Sequence, residues 1–256
     1  MDHIGSRRGI ILKSPQEIER MRESGRIVAS VLGIVAQAVR PGITTGELDR
    51  IAVAEVKKWD AVASFKGYRG FPASICVSIN EEVVHGIPGD RMLKEGDIVS
   101  LDFGAQVNGF HGDAALTVGV GAISSEAQNI IDTTEGALAA GIKAATVGAR
   151  LGDVSAAVQH YAESRGYSVV REYVGHGIGR DLHEDPQVPN YGVAGEGILL
   201  KKGLTIAIEP MLNMGVWNTT VAGNGWTVST ADGKLSAHFE HTIAVGENGS
   251  EILTRI

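Results

Sequence analysis

Four acidic residues, Asp102, Asp113, Glu209 and Glu240, each lie in a short strand-like run, on the face opposite its bulky apolar side chains. In the run from Asp97 to Gly104, Val99, Leu101 and Phe103 share one face, and Ser100, Asp102 and Gly104 the other. Glu209 aligns with Thr205 and Ala207, Glu240 with Thr242 and Ala244, and Asp113 with His111, Ala115 and Thr117. Side chains alternate along a strand, so each carboxylate leaves a small-residue surface toward an interior or cleft. Buried ionised carboxylates must be paired or bound to metal. The pattern therefore predicts a shared cation, with four separate Arg or Lys pairs as the other solution.

A fifth candidate is His176, between Gly175 and Gly177, and His183 follows in a polar stretch. Flanking glycines let backbone approach closely and leave room around the imidazole. Two Asp, two Glu and one His suit two adjacent divalent ions, about 3.5–4 Å apart, with positions left for water and substrate. Such a set differs from a structural zinc site closed by cysteines. Oxygen-rich ligation with one imidazole fits manganese, iron(II), cobalt or zinc. The simplest chemistry for such a pair is hydrolysis by a bridging hydroxide.

The elements that position these residues come in two similar sets. Ser14-Pro15 opens a helix reaching Val39, stopped by Pro41-Gly42, and Thr45 to Trp59 is a second. Strands are expected at Ser74–Ile79, Asp97–Gly104 and Phe110–Val118, with Asn108-Gly109 as a hairpin turn. The order then repeats, with helices at Ser125–Ala145 and Leu151–Arg165 and strands at Ser168–Val174, Leu204–Glu209, Trp226–Thr230 and His238–Val245. No low-complexity linker divides the halves. The expectation is one domain with internal pseudo-symmetry, strands of both halves in one sheet, helices outside and the carboxylates inside.

Composition bounds the partners. The 256 residues carry a net charge of −7 and no Lys/Arg-rich run, which argues against nucleic acid as a partner. A single cysteine, Cys76, excludes an intramolecular disulfide and suits a reducing compartment. The first residues lack the apolar core of a signal peptide, and the stretch Ile27–Val39 is too short to span a bilayer. A soluble cytoplasmic protein is expected.

Five segments carry a family resemblance: Ser74 to Gly89, Leu101 to Asp113, Tyr173 to Tyr191, Ala207 to Met211 and Ser236 to Thr242. Through them the chain resembles the type I methionine aminopeptidases of the creatinase-like pita-bread metallopeptidases, over nearly its whole length. The resemblance implies an α+β pita-bread fold with pseudo-twofold halves, each of two helices plus antiparallel strands. It implies a single catalytic domain, 1–256, with a short N-terminal segment, 1–13. It also implies removal of the initiator methionine from nascent polypeptides whose second residue is small.

Asp102, Asp113, His176, Glu209 and Glu240 match the five metal-ligand positions of the family. By that analogy Asp113 and Glu240 bridge the ions, Asp102 chelates one, and His176 and Glu209 complete the other. Glu209 is the proton acceptor, His85 lies near the nitrogen of the bond being cut, and His183 contacts the substrate carbonyl. Tyr68, Phe71, Cys76, Leu182 and Trp226, with His85 and His183, match substrate-pocket positions. Phe71 and Leu182 stand where tyrosine and phenylalanine are familiar, and Gly104 where threonine is often found. Asn80, Glu82 and Ser236 match a monovalent-cation site. Partners implied are nascent peptide N-termini, at the ribosome, for a monomeric enzyme.

His111 and His238 share strand parity with Asp113 and Glu240 and are read as partners orienting those carboxylates. His241 faces the apolar side and is read as structural, while His3 and His160 carry no motif. Three rivals share the fold. X-Pro aminopeptidases and dipeptidases generally carry an extra N-terminal domain, and type II methionine aminopeptidases carry a long insertion between the two glutamates. A non-enzymatic binding module of this fold would be basic and missing ligands.

Overall fold

Ser14 starts the first helix, α1 (Pro15–Ala38), with a reciprocal cap: its hydroxyl accepts from the Glu17 N–H and the Glu17 carboxylate accepts from the Ser14 N–H. Thr44 and Glu47 repeat the device at α2 (Thr45–Lys57). In the second half α3 (Ser125–Ala144) begins one residue after its cap, Ser124, and α4 (Leu151–Glu163) follows. The computed structural model describes residues 9–255. His3 and most of the expected segment 1–13 fall outside them. No helix among the described residues is long and apolar enough to cross a membrane.

Among the described residues fifteen strands accompany the two helical pairs. The first half holds β1 (Val62–Ala63), β2 (Cys76–Ile79), β3 (Glu82–Val84), β4 (Ile98–Val107) and β5 (Phe110–Gly119). The second holds β6 (Ser168–Val169), β7 (Gly175–Gly177), β8 (Glu184–Val188), β9 (Thr205–Ile208), β10 (Met211–Asn213), β11 (Thr219–Val221), β12 (Val228–Thr230), β13 (Ser236–His238), β14 (Glu240–Ala244) and β15 (Glu251–Ile252). One nine-stranded sheet runs β1-β4-β5-β14-β9-β7-β8, with β2 added on β4 and β15 on β14. The halves meet where β5 pairs with β14, so strands of both do share a sheet, as the sequence predicts.

Each helical pair covers the strands of its own half. Ile27, Val31 and Leu48 pack with Val99, Leu101 and Phe103, whereas Ile130, Leu138 and Val158 pack with Ile206, Ile208 and Ile243. These apolar side chains are the outer faces of the alternating runs. Burying a Leu or Ile side chain contributes about 1.5–3 kcal/mol, so the two apolar layers hold the sheet in place.

Two expected strands differ in form. Only Ser168–Val169 of the run 168–174 pairs in a ladder, and His176 sits on its own strand, β7. The run 238–245 is two strands in different sheets, broken at Phe239, because β13 pairs with β10 while β14 stays in the large sheet. The chain breaks opposite this point too, between β9 and β10. Pro210 has no N–H to continue the ladder, and its carbonyl accepts from the Phe239 N–H at 3.2 Å. Two adjacent strands thus leave the large sheet together.

Candidate metal centre

The first half contributes an unbroken hairpin. Asn108 and Gly109 turn at φ of 51° and 77°, the left-handed pair a two-residue hairpin of this twist requires. Register then sets Asp102 beside Cys76 on one flank and Ala115 on the other, and Ala115 beside Glu240. Directly opposed residues point to the same face. The methyl of Ala115 therefore separates two carboxylates and leaves the space above it open. Asp113 lies one step along, opposite Gly104. Its backbone is locked to β14, since Thr242 Oγ1 accepts from its N–H at 3.0 Å and donates to its carbonyl at 2.8 Å.

The second half delivers Glu209 and Glu240 from the two strand breaks, and His176 from β7. Both neighbours of His176 must be glycine. A Cβ on Gly175 would stand 2.3 Å from the Ala207 carbonyl oxygen, and one on Gly177 2.2 Å from that of Asp185. The imidazole Nδ1 lies 2.9 Å from the Gly177 carbonyl. A carbonyl only accepts, so this contact assigns the ring hydrogen to Nδ1 and leaves a lone pair on Nε2. That lone pair faces Glu209 Oε1 at 3.6 Å and Asp113 Oδ2 at 4.0 Å.

Acceptors facing acceptors in a buried space repel unless a positive charge stands between them. Asp102, Asp113 and Glu240 retain 8, 3 and 2 % of their surface, and one oxygen of each is buried with no hydrogen-bond partner. Among the described residues no Lys or Arg forms an ion pair with any of the four carboxylates, which removes the separate-pairs solution. Desolvation pushes Asp102 up to about 7, against a hydrogen bond from Cys76. It pushes Asp113, Glu209 and Glu240 well above the carboxylate range, reinforced by mutual repulsion. Burial also holds His176 down at about 4, hence neutral. Ligand atoms of Asp113, His176 and Glu240 lie within 4.8 Å of one another, as do those of Glu209, His238 and Glu240. This donor set fits divalent ions in number, charge and chemistry.

The centre forms the floor of a cavity of about 700 Å³, lined by all twelve residues that the sequence assigned to metal or substrate. Tyr68, Phe71, Cys76, Leu182 and Trp226 group in one apolar cluster on its wall. Phe71 meets Trp226 edge-on at 5.2 Å. Tyr68 stacks on His183 at 5.2 Å, and His183 lies 4.0 Å from His176. Burial holds His85 at about 4 and His183 at about 2, so both are neutral. Cys76 is the reverse case. Burial, then the adjacent carboxylates, push its thiol well up, so it stays protonated and acts as a small apolar wall residue. The loop bearing Leu182 and His183 is braced by Glu184, which pairs with buried Lys13 and accepts from the Arg180 N–H at 2.8 Å.

The remaining polar residues are engaged as follows. His111 bonds Ser64 Oγ at 2.8 Å through Nδ1, and His241 bonds Thr254 at 2.9 Å. His238 Nε2 lies 4.0 Å from Glu240, beyond hydrogen-bond reach, so it does not orient that carboxylate directly. Asn80, Glu82 and Ser236 spend their side chains on Asp97, on Ile79 with Arg91, and on Leu212. Phe65, Arg69, Tyr173 and Gln187 also line the cavity without having been singled out. Phe65 had one signal, the glycine at 104. A Cβ there would stand 3.0 Å from the Phe65 ring and from Ser64 Cβ. The ring occupies room that a larger residue at 104 would need.

The model of metallopeptidase family M24 matches residues 19–247. A methionine aminopeptidase of Clostridium perfringens is 55% identical over 247 residues, 96% of this chain and 99% of that protein. The crystal structure of methionine aminopeptidase from Thermotoga maritima superposes with a TM-score of 0.95 at 48% identity, covering 96% and 100% of the two chains. The prolidase of Pyrococcus furiosus, at 21% identity and a TM-score of 0.78, shares the fold alone; 66% of that chain is covered. The architecture is the pita-bread fold. Fold, ligand chemistry and likeness agree: the chain belongs to metallopeptidase family M24.

Proposed function

We infer that this chain is a metal-dependent methionine aminopeptidase, removing the N-terminal methionine of nascent polypeptides whose second residue is small. The observation that carries this reading is the deprotonated Nε2 of His176 facing two buried carboxylates across 3.6 and 4.0 Å. Asp102, Asp113, His176, Glu209 and Glu240 would hold two divalent ions, of manganese, iron, cobalt or zinc. When bound, such ions acidify water and polarise a carbonyl.

The protein's own groups do the rest. The apolar wall from Tyr68 to Trp226 takes the unbranched thioether of methionine and excludes water from it. Glu209 accepts the proton lost by the attacking water and passes it to the departing amine. A neutral imidazole has one N–H to give, so His85 donates toward the scissile amide and His183 toward the carbonyl oxygen as charge builds on it. His85 is held at φ of 60°, a left-handed conformation unusual for a non-glycine residue, between Tyr173 and Trp226 edge-on at 5.7 and 6.2 Å. Strain of that kind, on the order of 1–3 kcal/mol, is tolerated where it fixes a working group.

The same reading takes the chain as one catalytic domain acting as a cytoplasmic monomer on peptide N-termini at the ribosome. A monovalent cation near Asn80, Glu82 and Ser236 would rely on backbone oxygens, since those side chains are engaged. The deciding experiment compares release of methionine from Met-Ala-Ser with cleavage of an X-Pro peptide, after chelation and after adding Mn²⁺ or Co²⁺. Methionine release that needs metal is expected. Cleavage of the X-Pro peptide alone would transfer the site to the prolidase branch, and no hydrolysis under any metal would remove the reading.

A further inference from the structure

The metal-facing wall contains a sixth side chain, and it belongs to no carboxylate. His238 is 1 % exposed, and its Nε2 is buried without a hydrogen-bond partner. That nitrogen lies 4.0 Å from Glu240 Oε2, and it shares a 4.8 Å neighbourhood with the oxygens of Glu209 and Glu240. The ring is aimed there by a rigid backbone. Thr117 Oγ1 accepts from the His238 N–H at 3.0 Å and donates to its carbonyl at 2.9 Å. Ser100 Oγ supports the same hydroxyl at 2.8 Å.

We propose that His238 is a second imidazole ligand of the metal centre, joining the ion held between Glu209 and Glu240. The two three-residue groups share Glu240 and each contains one histidine, His176 in one and His238 in the other. Charge supports the assignment. Four carboxylates balance two divalent ions, so a further donor must be neutral to leave that balance intact. An imidazole donating through the lone pair of Nε2 is such a donor. A direct bond to Glu240 is ruled out by distance, and a buried donor or acceptor left unpaired is destabilising. Coordination would satisfy Nε2 and the open oxygen of Glu240 together. A centre with two imidazoles favours cobalt, iron or zinc over manganese, which prefers oxygen.

The inference rests on the divalent-metal reading, and the test separates the two. Cobalt(II) is titrated into chelated full-length protein by calorimetry. The loaded protein is then examined by proton NMR for hyperfine-shifted, exchangeable imidazole N–H signals, one per coordinating histidine. Two signals are expected in the native protein and in His183→Gln, and one in His238→Gln. The latter should bind cobalt on the order of 10–100-fold more weakly, with a smaller loss for manganese. Cobalt binding with a single signal, or a second signal that survives His238→Gln, overturns the inference alone. Flat calorimetry in the native protein overturns it together with the metal reading. The signal count in the native protein and in His183→Gln stands even if His238→Gln does not fold.

Discussion

The two halves bring acidic residues to one cavity by different means. Asp102 and Asp113 ride on β4 and β5, two ten-residue strands joined by a tight turn and paired without interruption. Glu209, His238 and Glu240 stand where β9 gives way to β10 and β13 to β14, at the point where both strands leave the large sheet. Regular pairing positions the first set. In the second, the ladder stops at Pro210 and Phe239, and single side-chain hydrogen bonds take over. Both solutions use a threonine hydroxyl inserted between strands: Thr242 grips the backbone of Asp113, and Thr117 that of His238. The hairpin is thus held by many ladder bonds plus a clamp, and the broken pair largely by its clamp.

The largest effect should come from removing Asp113, the hairpin carboxylate that faces His176 of the second half. Asp113→Ala is expected to lower kcat/KM at least about 10³-fold, with loss of bound metal measured by elemental analysis. The metal-free protein should respond oppositely. Asp113→Asn replaces a carboxyl whose ionisation is opposed first by burial and then by Asp102 and Glu209, so at alkaline pH its melting temperature without metal should equal or exceed the native value. A metal-free Asp113→Asn that melts lower would show that the carboxylate is stabilised by protein groups rather than awaiting a cation.

The clamps test the contrast itself. Thr117→Val and Thr242→Val each strip a buried N–H and a buried C=O of their partner, at about 1–3 kcal/mol per group left unpaired. Denaturant unfolding should show similar stability losses. Metal affinity should not follow suit. The ladder still fixes Asp113 in Thr242→Val, whereas His238 and Glu240 drift in Thr117→Val, so the latter should lose more affinity. Equal losses would abolish the distinction between the two regions.

The asymmetry also decided what could be read from sequence. In the hairpin, strict alternation and the Asn-Gly turn were enough to place Asp102 and Asp113 on one face. The run 238–245 alternates just as well, yet it is two strands, because a period-2 pattern does not show which sheet each segment joins. The orientation of His238 toward Glu240 across that break, and of His85 at positive φ, depends on tertiary contacts with no local signature. His176 was legible through its glycines, since close backbone approach from Ala207 and Asp185 forbids any side chain beside it. Phe65 was not, because its role appears only as the space missing at Gly104.

Proton linkage gives a smaller signal of known sign. Asp102 at about 7, and Asp113, Glu209 and Glu240 well above their usual range, keep protons in the folded, metal-free state that an unfolded chain loses near pH 4. The folded state then binds more protons, so stability falls as pH rises through the raised values. His85, His176 and His238, held at about 4, 4 and 3, act in reverse, raising stability from about pH 4 up to the ordinary 6.5. Between pH 4 and 6.5 the two sets oppose; above 6.5 only the carboxyls still titrate. Chelated protein should therefore lose thermal stability between pH 6.5 and 8, and metal-saturated protein should not. A chelated melting temperature that is flat over that interval would contradict the burial of four unneutralised carboxyls.

The smallest expected effect lies at the edge of the regular region. A Cβ on Gly104 would meet Phe65 and Ser64 at 3.0 Å and Asp113 Oδ1 at 3.2 Å, tighter than ordinary contact. Gly104→Ala should cost about 1 kcal/mol, at the low end for overpacking a close-packed site. Phe65→Leu alone should cost a similar amount by leaving a gap. Because the two side chains compete for one space, the double variant should be more stable than the sum of the single losses predicts, a coupling read by a double-mutant cycle. Strict additivity would mean that Phe65 does not substitute for a side chain at 104. The missing hydroxyl would then have to be sought elsewhere in the cavity, with Ser64, hydrogen-bonded to His111, the nearest alternative.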